Sequence, residues 1–109
     1  METKITVFEG REGKFCLTIT DTDDETAHLF EERELQGGGY TWEGIVISLV
    51  EMRMPNALRQ FEIGAEGDDM YVYCKSREPL DQLAQLISEA TSDRGLLIAA
   101  IENAGDDIE

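Results

Sequence analysis

The sequence predicts an α+β fold. An antiparallel sheet is built from two hairpins, with helices packed mainly on one face, in the order β-β-α-α-β-β-α-α. Three observations predict it. Two pairs of short runs alternate apolar and polar residues around turns that contain glycine. The stretches after each pair repeat apolar residues at intervals of three and four. Hairpins that alternate with helices close an antiparallel sheet that the helices cover from one side.

Residues 4–9 alternate, with Ile5 and Val7 on one face, and Gly10 to Gly13 form a turn. Residues 14–20 alternate again, setting Phe15, Leu17 and Ile19 against Cys16, Thr18 and Thr20. Thr22 and Glu25 then have the spacing of a capping box, and acidic residues suit the positive end of a helix. A helix over about 24–35 is expected, with Ala27, Phe30 and Leu35 inward. Gly37, Gly38 and Gly39 break it. Thr41 is a plausible N-cap for the next helix, whose face is Trp42, Ile45, Val46, Leu49 and Val50. The β-branched run Ile45-Val46-Ile47 makes a strand the competing reading. The length of the run and its end at Pro55 favour helix.

Residues 60–65 alternate with Phe61, Ile63 and Ala65 on one face, Glu66 to Asp69 form a turn, and residues 70–75 alternate again. Met70, Val72 and Cys74 share one face of that strand, and Tyr71 and Tyr73 share the other. Pro79 fits the first turn of a helix over about 79–90, marked by Leu80, Leu83, Ala84 and Ile87. Ser92 and Asp93 cap a last helix with Leu97, Ala100, Ile101 and Ala104 inward, and Gly105 ends it. Residues 105–109 read as a frayed acidic tail of a single domain, 1–109. The element order is duplicated, although the halves share no visible sequence similarity. One sheet face is left open, bearing Tyr71 and Tyr73 or their opposite neighbours.

The chain has 109 residues, 41% of them hydrophobic, enough for a core. It carries 24 Asp and Glu against 9 Lys and Arg, a formal charge of −15. A nucleic-acid binder needs a basic stripe to displace phosphate counterions, and none is present. An anionic membrane surface is disfavoured for the same reason, and no apolar run approaches the ~18 residues of a membrane span. The N-terminus lacks the pattern of a signal peptide. Cys16 and Cys74 therefore read as reduced core thiols of a cytoplasmic protein, and their spacing leaves open whether they are neighbours.

Little in the chain points to catalysis. His28 has no second histidine at ligand spacing, and neither cysteine has a Cys or His nearby. Asp21, Asp23, Glu25 and Glu32 occupy positions 1, 3, 5 and 12 of a calcium loop, but position 6 is Thr26 where glycine is needed. The glycine triplet lacks the Lys-Ser/Thr ending of a phosphate loop. No carboxylate pair stands out as a general acid. The expectation is a protein that is not an enzyme and needs no cofactor or metal.

What remains is surface. Asp21, Asp23, Asp24 and Glu25 form one acidic cluster, Glu66, Asp68 and Asp69 a second, and Glu31, Glu32 and Glu34 a third. Each reads either as solvated surface or as a site for a basic protein, since complementary charge accelerates association. The charge is spread evenly along the chain: 12 acidic and five basic residues up to Met54, 12 and four from Pro55 onward. It is a property of the folded surface rather than of a detachable tail.

Gly39-Tyr40-x-Trp42-Glu43-Gly44 opens a helix. It is followed by Pro55, a strand with Phe61-Glu62-Ile63, a Glu-Gly turn, and Met70-Tyr71-Val72-Tyr73-Cys74-Lys75-Ser76-Arg77-Glu78-Pro79-Leu80. Over residues 36–90 this resembles the immunity protein 51 family, found beside bacterial polymorphic and contact-dependent toxins. The resemblance implies a single-domain cytoplasmic protein that neutralises a cognate toxin by binding. The expected partner is a basic toxin domain, such as a nuclease, with no nucleic acid and no membrane bound. The expected contacts are Asp21, Asp23, Asp24, Glu66, Asp68 and Asp69, with Tyr71 and Tyr73 as aromatic anchors. Trp42 leads the apolar face of its helix and reads as core, while Tyr40 fits either role. Two alternatives stay open: an acidic mimic of nucleic acid that inhibits DNA-binding proteins, and a small ligand-binding regulatory domain.

Overall fold

The computed structural model describes residues 2–105 and Ile108. In chain order the elements are β1 (Lys4–Glu9), β2 (Phe15–Asp21), α1 (Asp24–Glu32), α2 (Gly39–Arg53), a 3-10 segment (Pro55–Gln60), β3 (Glu62–Glu66), β4 (Asp69–Cys74), α3 (Arg77–Ser92) and α4 (Arg94–Ala104). The expected α+β fold is the observed one. The four strands form one antiparallel sheet in the order β1-β2-β4-β3, so β1 and β3 are its edges.

Alternation divides the sheet as the sequence predicts. Leu17, Ile19, Met70, Val72 and Cys74 join the core, with Ile5, Val7, Phe15 and Ile63 packed against it. Thr18, Tyr71 and Tyr73 face the other way. On the covered face α3 lies over β1 and β2, α2 lies over β3 and β4, and α4 packs on α2 and α3. Being enclosed by sheet and helix explains why α2 is apolar nearly all round: Trp42, Ile45, Val46, Leu49 and Val50 are all buried. The β-branched run in it therefore marks a buried helix and not a strand.

The duplicated order of elements does not become a duplicated packing. The two hairpins meet symmetrically through β2 and β4. Yet α3 sits on the first hairpin, while α1, its counterpart by order, has no comparable seat on the sheet. Instead α1 sets Phe30 edge-on to Trp42, ring centroids 5.5 Å apart. It reaches α4 through the ion pairs Arg33–Glu102 and Arg94–Glu32.

Several boundaries differ from expectation for local reasons. The N-cap of α1 is Asp23 and not Thr22: Asp23 accepts a hydrogen bond from the Thr26 amide at 3.0 Å. The Thr22 hydroxyl instead accepts from the Trp42 indole Nε1 at 2.9 Å. The helix stops at Glu32, and Glu34 takes φ 61°, yet Leu35 still packs on the core from beyond the helix end. Inward residues of α1 are Thr26, Leu29 and Phe30, with Ala27 only half-buried. The glycine triplet does more than interrupt the chain. Gly39 is the first residue of α2, and Thr41 lies inside the first turn, its hydroxyl accepting from the Gly37 amide at 2.9 Å. The 3-10 segment after Pro55 has no counterpart in the sequence reading.

In the expected tail, Asp106, Asp107 and Glu109 lie outside the described residues. Ile108 is not frayed. It is half-buried against α2 at Gly44, where a Cβ would stand 3.1 Å from the Ile108 side chain.

The tightest joint is at the start of α2. The Gly39 amide donates to the Gly67 carbonyl at 3.1 Å, and a Cβ on Gly39 would lie 2.1 Å from the Asp69 carbonyl oxygen. No side chain fits there without moving the backbone of the β3–β4 turn. Gly39→Ala is expected to destabilise the protein by ~2–4 kcal/mol, read as a lower urea midpoint with an unchanged slope.

Candidate functional site

Strand pairing decides where the expected contact residues lie. The β2–β4 ladder runs from Phe15 with Cys74 to Ile19 with Met70. One step past its last pair, β2 leads into Thr20 and Asp21, and β4 begins at Asp69. The β2–α1 junction and the β3–β4 turn therefore share one end of the sheet. Asp21, Asp23 and Asp24 come from the first, and Glu66, Asp68 and Asp69 from the second. Two clusters more than 40 residues apart in sequence are thus brought together. All but Asp23 are exposed. Lys4 arrives at the same end, paired in register with Asp21.

Asp23 has a structural task. Its carboxylate accepts from the Thr26 amide, from the Thr26 hydroxyl at 2.7 Å and from the Thr3 hydroxyl, and its own amide donates to Thr3 Oγ1 at 3.0 Å. Burial on its own raises its pKa. The hydrogen bonds from Thr3 and Thr26 outweigh that and hold the carboxyl below its ordinary value. Asp23 thus ties the segment before β1 to the start of α1. The same residue ends any calcium-loop reading, because α1 begins at Asp24 and carries Glu25 and Glu32 off along a helix. Among the described residues, no group of three or more His, Cys, Asp or Glu side chains could hold a metal ion.

A residue that the sequence left undecided joins this end. The N-terminus of α2 is held on the β3–β4 turn by Gly39, so Tyr40 stands beside the acidic turn, 48% exposed. Trp42, two positions on and therefore on the opposite side of the helix, is buried at 1%. That two-residue offset from a clear core position is the signal that could have placed Tyr40 outward.

Tyr71 and Tyr73 lie on the open face, half-buried, with ring centroids 5.3 Å apart. The Tyr71 ring covers Gly64: a Cβ there would meet its hydroxyl at 2.6 Å. Tyr73 pairs in register with Cys16 and Glu62, on the half of the sheet away from the acidic end. The structure therefore groups the six acidic candidates at one end but leaves Tyr73 apart from them. Burial pushes the Cys16 thiol up. The adjacent Cys16 thiol, and then burial, hold the Tyr73 hydroxyl above its ordinary value. Both groups stay neutral at physiological pH, so Cys16 is no ready nucleophile.

Cys16 pairs with Tyr73 and Cys74 with Phe15, so the two cysteines are neighbours in register. Their side chains point to opposite faces of the sheet and cannot bridge. The third acidic cluster lies on and just past α1. There Glu32 pairs with Arg94 at 3.3 Å, and with His28 at 3.5 Å when that histidine is protonated.

The opposite end of the sheet has another character, which the sequence reading missed. Arg11 and Lys14 on the β1–β2 turn, Arg59 in the 3-10 segment and Lys75 after β4 meet there, beside Glu9, Glu12 and Glu62. The charge that is even along the chain is uneven in space.

The model of the family described as immunity protein 51 matches residues 5–106. The chain belongs to this family. Membership supports an immunity function, and with it a cognate toxin as partner in general. The matched span takes in the first hairpin and the last helix, beyond the stretch that carried the resemblance. Comparison with curated proteins and with solved structures returns no match. No helix is long and apolar enough to cross a membrane, among the described residues.

The Asp23 cap makes a pH-dependent prediction. A carboxyl whose pKa is lowered by folding contributes stability above its unfolded value and loses that contribution as pH falls through the folded value. Asp23→Ala should cost ~0.5–2 kcal/mol at neutral pH. The gap from the parent protein should narrow below about pH 4. Urea unfolding at pH 7 and pH 3 measures both.

Proposed function

We propose that the protein neutralises a cognate toxin domain by binding it without turnover, the acidic end of the sheet meeting a basic surface of the toxin. A nuclease, whose cleft is basic because it receives phosphates, is the target class that this surface fits best. The observation that carries the reading is the convergence of Asp21, Asp24, Glu66, Asp68 and Asp69 at one end of the sheet, with the exposed Tyr40 one residue on from the Gly39 joint to the same turn. Carboxylates gathered at one end of the sheet repel one another, and a basic partner relieves that repulsion. The aromatic ring adds apolar contact that a charged rim alone lacks. Inhibition is then steric and electrostatic: the acidic end occupies the cleft and the bulk of the domain covers it. Such a role places the protein in the cytoplasm, where an incoming toxin acts.

A mimic of nucleic acid would need carboxylates along its length. Here one end of the sheet instead gathers Arg11, Lys14, Arg59 and Lys75. That favours one oriented partner over many basic ones.

The test uses the toxin encoded by the neighbouring gene. Reversing Asp21, Asp68 and Asp69 to Lys should slow association by about tenfold or more and flatten its salt dependence. Reversing Glu78, Asp81 and Glu89 on α3 should change it less than about twofold. Equal losses from the two sets would show that net charge acts as a whole and that this end is not the interface.

A further inference from the structure

The cationic end of the sheet has a shape as well as a charge. Two clefts meet there, of about 420 Å³ and 340 Å³, and they share Lys14, Glu62 and Tyr73 as walls. Arg59 and Lys75 line the larger, and Phe8, 43% exposed, lines the smaller. In a chain with 24 acidic residues against 9 basic ones, a cation is expected to find a carboxylate. Lys14 does, pairing with Glu62 at 3.1 Å. Arg11, Arg59 and Lys75 have none within ion-pair distance, among the described residues. Unpaired cations thus gather around one aromatic-walled groove, at the end of the molecule where the local charge is not negative.

We infer that this groove takes an acidic segment of the protein partner, a short stretch carrying carboxylates and an apolar side chain. The inference rests on reading the protein as a toxin binder, and it adds a second point of contact. The walls fit a peptide better than a bare anion. Phe8 and Tyr73 offer apolar surface that a phosphate cannot use, and the Lys14–Glu62 pair offers both signs of charge to a peptide. A free polyanion is also repelled by the net field of −15. A protein already held at the acidic end avoids that barrier, because its own acidic segment arrives at high effective concentration. The reach is short: β2 has seven residues, so the two ends lie about 23 Å apart, well within one domain-sized partner. Opposite charges at the two ends would also fix the orientation of the partner, since a reversed complex would place like charges together.

The probe is an acetylated, amidated peptide, Glu-Phe-Asp-Glu, titrated at millimolar concentration into the isotope-labelled full chain. Its control has Gln and Asn in place of the acids. Saturable amide shifts centred on Lys14, Arg59, Lys75 and Ser76, absent with the control, are expected. Arg59→Glu with Lys75→Glu should weaken binding at least about fivefold. Both positions are exposed, and the milder pair Arg59→Gln with Lys75→Gln should weaken it less while keeping the thermal melt unchanged. Asp68→Lys with Asp69→Lys should not weaken it. Shifts shared with the control, shifts scattered over other faces, or equal shifts from inorganic phosphate would each overturn the inference. Because no toxin is used, failure here leaves the role of the acidic end standing, and loss of that role leaves this result standing.

Discussion

The fold turns on a contact between two stretches of backbone. At Gly39 the first turn of α2 comes so close to the β3–β4 turn that a methyl group would overlap the Asp69 carbonyl. The contact fixes the start of α2 against the β3–β4 turn. From that start Trp42 enters the core between α1 and the sheet, with its indole proton on Thr22. The helix then continues with Ile45, Val46, Leu49 and Val50 buried. Tyr40, the residue after that joint, stays exposed while Trp42 is buried. One steric constraint thus positions both the centre of the core and the aromatic member of the candidate interface.

Much of the fold could be read from the chain because it depends on local periodicity. The alternation of residues 14–20 and 70–75 assigned the correct faces to Leu17 and Cys16, and to Val72 and Tyr73. The period of α2 outweighed its β-branched run because burial on all sides, not strand pairing, accounts for its apolar content. Local pattern misleads where a distant partner decides. Thr22 has capping geometry in sequence, but Trp42, 20 residues later, takes its hydroxyl and leaves the cap to Asp23. Ile108 looked like part of a charged tail because nothing nearby shows that Gly44 leaves room for it.

The candidate site was legible in its parts and not in its arrangement. Each acidic segment could be named from the chain, but antiparallel pairing of β2 with β4 is what brings them together. The same pairing gathers cations at the other end, which a count along the chain could not reveal. Charge therefore has a direction in this molecule as well as a magnitude. A field with direction orients a partner before contact, whereas net charge only attracts it.

The edge strand β3 shows a different consequence of so much negative charge. It has five residues and begins and ends in glutamate, Glu62 and Glu66. A second copy pairing in register along this edge would place carboxylate opposite carboxylate, whether the strands ran parallel or antiparallel. Such an edge resists sheet-to-sheet growth without a bulge or proline to block it. The acidity of this edge thus also guards the chain against edge-to-edge aggregation.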